Sequence, residues 1–196
     1  IYNSAMREKA WKYIKMNNQL ISGIKNNEFL LYYQPQIDLA SKKVVSVEAL
    51  IRWQHPQKGL ILPKDFIPFA EQSGHILQIG NWVLKTACKQ KMDWQAKGID
   101  NIKVSVNISI KNLMQKSFAS DIKRILQENG IDANFELEIT ETALIDELDK
   151  IIPIMHRLKD LSITIALDDF GTGFSSLTHL QKLPINILKV DKSFIK

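Results

Sequence analysis

One unit recurs through the second half of the sequence: a short run of β-branched and apolar residues, followed by a stretch with helical spacing. The runs Val104-Ser105-Val106-Asn107-Ile108, Leu137-Glu138-Ile139-Thr140, Ile163-Thr164-Ile165-Ala166-Leu167 and Ile187-Leu188-Lys189-Val190 read as strands buried on both faces. They belong to strands expected over Lys103–Ser109, Asn134–Thr140, Ser162–Phe170 and Ile185–Asp191. Phe118–Asn129, Leu148–Leu161 and Ser175–Leu183 read as the intervening helices. Alternation of this kind builds an α/β domain around a parallel sheet, either open and doubly wound or closed as a barrel.

Ahead of the repeat, Phe29–Leu39 and Val44–Trp53 read as two further strands. The polar turn Ala40-Ser41-Lys42-Lys43 joins them as an antiparallel hairpin, which makes six strands in all. Pro63–Ser73 and Leu77–Lys97 read as helices. So does the segment from Ser4 to about Asn26, where Met6, Ala10, Tyr13, Ile14, Leu20, Ile21 and Ile24 suit one helix face.

The polar residues argue for the barrel. No glycine-rich phosphate loop follows the first strand, which counts against a nucleotide-binding open sheet. Glu48, Asn107, Glu138, Asp168, Asp169 and Lys189 fall at or near the C-terminal ends of apolar strands, and in a barrel those ends meet in one cup. Carboxylates in apolar strands are costly unless they are paired or hold a cation. An all-oxygen set suits Mg²⁺ or Mn²⁺ better than Zn²⁺. The adjacent Asp168 and Asp169 suit two ions about 3.5–4 Å apart, an arrangement that clamps both oxygens of a phosphoryl displacement. Each signal alone has a plainer reading: a turn or cap for the aspartates, a solvent-facing strand end for Lys189, and a surface ion pair for Arg52.

Composition narrows the partners. The net charge is +5, yet no block of like charges marks a nucleic-acid tail, so a polynucleotide partner is not expected. A small anionic ligand is compatible, as is an acidic portion elsewhere in a parent protein. The 196 residues, 45% hydrophobic, suit one globular domain. No run approaches the roughly 20 apolar residues of a membrane span, and no secretion signal opens the chain, so membrane contact is not expected and a cytoplasmic location is. The single cysteine, Cys88, reads as core packing in a reducing compartment. The four histidines are dispersed and offer no Ser/His pairing.

Taken in order, Tyr33-Gln34-Pro35, Glu48-Ala49-Leu50-Ile51-Arg52-Trp53, Asn107, Glu136-Leu137-Glu138-Ile139-Thr140-Glu141, Asp168-Asp169-Phe170-Gly171-Thr172-Gly173 and Leu188-Lys189-Val190-Asp191 resemble the motifs of EAL domains. The resemblance covers about Phe29 to Lys196. It implies a (β/α)8 TIM-like barrel with an antiparallel first strand, of which this chain carries six of about eight strands. Glu48, Asn107, Glu138 and Asp168 would hold a first metal, and Asp168 and Asp169 a second. Lys189 would position or polarise the attacking water, and Gln34, Leu50 and Arg52 would contact substrate. Gly171-Thr172-Gly173 resembles a mobile loop that Glu141 would tether.

The function so implied is metal-dependent hydrolysis of cyclic-di-GMP to the linear dinucleotide, by a homodimer in a bacterial signalling protein. Residues 1–28 resemble the helical linker from an upstream GGDEF or sensory domain, with an amphipathic helix packed on the barrel as the alternative. Residues 29–196 would be the EAL domain, within a parent that has room for a membrane anchor. EAL domains continue into an Ala-Glu-Gly-Val-Glu strand and a Gln-Gly strand, so a chain ending at Lys196 is expected to be incomplete. Two other functions stay open: a non-catalytic module binding cyclic-di-GMP or a protein, and a lyase using Lys189 as a Schiff-base amine.

Overall fold

A computed structural model describes residues 4–130, 135–144, 147–171 and 180–194. Helix α1 (Ser4–Lys25) leads into a hairpin of β1 (Phe29–Ile37) and β2 (Val44–His55), with β3 (Gly59–Ile61) returning beside the end of β2. Next come α2 (Pro63–Ser73), α3 (Ile76–Gln95), β4 (Lys103–Asn107), the single turn α4 (Ile110–Leu113), and α5 (Phe118–Glu128). The chain continues through β5 (Phe135–Thr140), α6 (Glu141–Leu144), α7 (Leu148–Asp160), β6 (Thr164–Phe170), β7 (Ile187–Val190) and a 3-10 turn at Lys192–Phe194.

Local chemistry sets these boundaries. Lys42 adopts φ 59° in the β1–β2 turn, where the Ser41 N–H donates to Asp38 Oδ1 at 2.7 Å. Pro63 opens α2, and Gly74 ends it at φ 81°, a left-handed cap that glycine adopts without a Cβ penalty. Phe118, Ile122, Ile125 and Leu126 form the buried stripe of α5, and Ile151, Met155 and Leu158 that of α7.

The strand order is β1-β2-β4-β5-β6-β7, with β3 on β2. β1 is antiparallel to β2, and the remaining wall is parallel. Alternation then sorts the side chains. Val47, Ala49, Val104, Val106, Leu137, Ile139, Ile165 and Leu167 are buried and share the face that the helices cover. Glu48, Ser105, Asn107, Glu136, Glu138, Ala166 and Ile187 share the opposite, inner face. Among the described residues the sheet does not close, so the wall is a partial barrel with β1 and β7 at its edges.

Several expectations need correction. There are seven described strands, because three residues at Gly59–Ile61 pair with Trp53–His55 and are too few to show a pattern. β4 stops at Asn107, since the Ser109 side chain accepts from Asn112 N and starts α4. β6 starts at Thr164, because Ser162 takes φ 61° while its N–H closes the end of α7 onto Lys159 O. Most of the helix expected over Ser175–Leu183, and the expected strand start at Asn134, lie outside the described residues.

Helix α1 docks through its C-terminal half. Leu20 is fully buried, His75 Nε2 and Asn17 Oδ1 lie 3.1 Å apart, and Lys58 Nζ donates to Gln19 Oε1 at 2.9 Å. Gly23 lies flat against Trp53, where an added Cβ would fall 2.9 Å from the indole nitrogen. That nitrogen donates to Glu28 Oε2 at 2.9 Å.

Candidate active site

Five strands carry the polar cluster, and a lysine from the last of them sits at its centre. Lys189 Nζ lies 2.6 Å from Glu138 Oε2, 3.2 Å from Glu48 Oε2 and 3.5 Å from Asp168 Oδ1. Asn107 Nδ2 donates to Glu48 Oε1 at 2.8 Å. Glu48 itself is mid-strand, with β2 running seven residues beyond it, contrary to a strand-end placement. It reaches the cup because β4 pairs with β2 only over Ser46–Ala49, so Glu48 stands beside Ser105 near the end of β4.

Asp168 and Asp169 could not both face the cup in a regular strand, where neighbours point to opposite sides. Here β6 carries one extra residue between Leu167 and Phe170 against β7, a β-bulge. Asp169 takes φ 55° within it, a conformation that asparagine and aspartate tolerate better than most side chains. Just beyond, Gly171 has φ 97°, and an added Cβ would strike the Phe194 ring. The Gly171 N–H donates to Glu141 Oε2 at 2.8 Å, which ties α6 to the end of β6. Thr172 and Gly173, expected to complete a mobile loop, lie outside the described residues.

The other candidates line the same side of the hairpin. Gln34 is exposed and lies directly across from Glu48, so both project from one face. Leu50 and Arg52 follow Glu48 on that face by alternation, across from Tyr32 and Leu30. The Arg52 guanidinium stacks over the Tyr32 ring at 5.4 Å and donates to Ile51 O at 2.8 Å. Sequence reasoning gave no role to the pair beneath the cup, where buried Glu136 meets Lys103 at 3.6 Å. The i, i+2 alternation with Glu138 was the available signal, since it puts both acids on the inner face.

Burial pushes the Glu138 carboxyl from 4.5 up to about 7, against the opposing hydrogen bond from Lys189. Burial also raises Glu136, opposed by the charges of Lys103 and Lys189. Partial desolvation, then the charges of Asp168 and Asp191, raise Asp169. Desolvation works against the Lys189 ammonium, but the Glu138 hydrogen bond and the charges of Glu138, Glu48 and Asp168 outweigh it and hold Lys189 above the ordinary lysine value. A Schiff-base lysine needs a shift in the opposite direction.

Among the described residues no three His, Cys, Asp or Glu side chains form a ready-made metal shell. Lys189 Nζ instead lies against one oxygen of each of three carboxylates. The donors nevertheless fit a hard divalent cation. Glu138 is 1% exposed, and its Oε1 is the one buried side-chain polar atom with no hydrogen-bond partner among the described residues. A buried carboxylate oxygen in that condition is costly unless something positive completes it. The surrounding donors are all oxygen, which suits Mg²⁺ or Mn²⁺.

The family model for the EAL domain matches residues 17–196. The chain belongs to the EAL domain family. The match takes in the docked second half of α1 as well as the sheet. The cyclic di-GMP phosphodiesterase NbdA of Pseudomonas aeruginosa is 40% identical over 188 residues, covering 95% of this chain and 24% of that protein. The cyclic di-GMP phosphodiesterase PdeR of Escherichia coli is 36% identical over 197 residues, covering 100% of this chain and 30% of that protein. The EAL chain therefore spans roughly a quarter to a third of the length of these curated relatives. Among solved structures, the PaMucR phosphodiesterase in complex with c-di-GMP superposes with a TM-score of 0.88 at 35% identity, over 92% of this chain and 74% of that one. This establishes the partial barrel as part of the TIM-like EAL fold.

Proposed function

We propose that this EAL domain hydrolyses one phosphodiester of cyclic-di-GMP, giving the linear dinucleotide. The convergence of Glu48, Asn107, Glu138 and Asp168 on Lys189, with a buried Glu138 oxygen left unpartnered, carries this reading. The phosphodiesterase names of the relatives supply the substrate. Glu48, Asn107, Glu138 and Asp168 would hold one divalent cation, and Asp168 and Asp169 a second. Mg²⁺ or Mn²⁺ held there supplies Lewis-acid charge at the phosphoryl group and acidifies water.

The chain's own residues then divide the work. Lys189, held protonated, cannot take a proton from water; it orients the attacking water by hydrogen bonding and stabilises charge building on the phosphoryl oxygens. Water attacks phosphorus in line: the new O–P bond forms as the P–O3′ bond breaks, the attacking water gives up a proton to solvent, and the departing 3′ oxygen takes one up from solvent. The planar fork of Arg52 matches a phosphodiester once it leaves Ile51 O. Gln34 and Leu50, on the Glu48 face of the hairpin, would contact the ligand, and Glu141 holds Gly171 just after Asp169. A bacterial parent with an upstream cyclase-type or sensory domain fits the naming of the relative MucR as a bifunctional diguanylate cyclase and phosphodiesterase, 34% identical over 195 residues.

Incubating the chain with cyclic-di-GMP and Mn²⁺, and following binding and product together, tests the proposal. Linear dinucleotide should form with the wild type and not with Glu48→Ala. Binding without product would replace it with the receptor reading, and neither binding nor product would remove its functional content.

A further inference from the structure

The inner face of the wall carries one more acid than the proposed site uses. Glu48, Ser105, Glu136 and Thr164 are lateral neighbours across β2, β4, β5 and β6, one tier below Asn107, Glu138 and Ala166. Glu136 is 2% exposed. Its Oε2 lies 3.6 Å from Lys103 Nζ, and that ammonium donates to Thr164 Oγ1 at 3.5 Å. Lys189 pairs with Glu48, Glu138 and Asp168 and, among the described residues, not with Glu136. A second acid–lysine set thus sits directly under the first.

Stability is a poor reason for it, because a buried ion pair adds little that apolar side chains of similar volume would not. Its position suits an electrostatic role. Two residues along a strand place Glu136 about 6.6 Å below Glu138 on the same face, and Lys103 holds its carboxylate, so it does not join the ligands. Its charge still lies on the order of 9 Å from an ion held by Glu138. At that range, removing one unit charge changes the affinity for a dication about fivefold even at the dielectric constant of water, and by more across a buried face.

We propose that Glu136 and Lys103 tune the cup's hold on divalent cations through charge alone. Glu136 strengthens cation binding from beneath, and Lys103 opposes it. Neither touches the ion or the substrate. The inference rests on the cation-site reading of the cup and adds to it two residues that the ligand set does not include.

Titration of Mn²⁺ in low-salt buffer at pH 8, followed by the electron paramagnetic resonance signal of the free ion, tests it. Glu136→Gln, nearly constant in shape, should weaken binding about fivefold or more. Lys103→Met should tighten it about twofold or more, since its charge lies farther from the ion. The double variant leaves no buried charge unpaired, and its affinity should fall between that of Glu136→Gln and the wild type, which supplies the sign of the Lys103 effect even if Lys103→Met alone does not fold. Damage to packing would weaken binding in every variant, so the opposite signs separate tuning from a structural role. Glu138→Gln serves as the control that loses the site. If the wild type binds and that control does not, an affinity within twofold of wild type for Glu136→Gln overturns the tuning and leaves the cation site standing. So does weakening by Lys103→Met, or a double variant no tighter than Glu136→Gln. A wild type that binds no Mn²⁺ overturns both the site and its tuning.

Discussion

Replacing Glu138 by glutamine should stabilise the metal-free domain while abolishing its response to divalent cations. The side chain is buried, and its carboxyl is pushed from 4.5 up to about 7. A carboxyl raised on folding makes the folded state weaker as pH climbs from the unfolded to the folded pKa, because the ionised form is the one disfavoured. At pH 8 the whole difference applies, about 3 kcal/mol at 1.36 kcal/mol per pKa unit. At pH 5.5 the wild-type carboxyl is mostly protonated in the fold, and the penalty falls to about 1 kcal/mol. Glu138→Gln removes the ionisation at nearly constant shape, so its stabilisation should follow the same course. Urea denaturation in chelator at the two pH values measures this, and repetition with excess Mn²⁺ should stabilise the wild type and not the variant. A variant less stable than wild type at pH 8 without metal, or one stabilised equally by Mn²⁺, would mean that the ionised Glu138 carboxylate neither destabilises the metal-free fold nor binds the ion.

Lys189→Met should act in the opposite sense, leaving Glu48, Glu138 and Asp168 without their shared cation; a loss of about 3–5 kcal/mol in chelator at pH 8 is expected, checked by the same denaturation. Gly23→Ala gains up to about 1 kcal/mol of helix propensity but forces a methyl against the buried Trp53 indole, costing about 1–3 kcal/mol; thermal melts should show a net loss. Lys91 is 1% exposed, and its ammonium donates to Ile102 O at 2.8 Å while burial lowers its pKa. Lys91→Met should therefore be neutral or slightly stabilising at pH 7, and Lys91→Ala should lose about 2 kcal/mol or more to the cavity it leaves.

The parallel wall was legible because strands buried on both faces carry an unbroken apolar signal. Glu138, Asn107 and Lys189 were legible as polar interruptions near the ends of those runs. Three features of the cup left no such trace. Alternation cannot announce the bulge at Asp168 and Asp169, since it depends on one extra residue against β7 and a left-handed Asp169. Glu48 looks like a strand-end residue only when β2 is assumed to stop with its neighbours, yet β2 continues to His55 and recruits β3. The link from Lys189 to Glu48 joins residues 141 apart in sequence, and only the curvature of the wall brings them to 3.2 Å. Short elements such as α4 and α6 arise from single caps and tertiary contacts, which periodicity does not register.

If the acids around Lys189 form a divalent-cation site, the electron paramagnetic resonance signal of free Mn²⁺ reports it without reference to activity. Titrating the wild-type chain into Mn²⁺ should extinguish the free-ion signal to the extent of one to two ions per chain, and Glu138→Gln and Glu48→Ala should leave most of it standing. An undiminished signal with the wild type, or equal loss with both variants, would mean that these acids hold no ion.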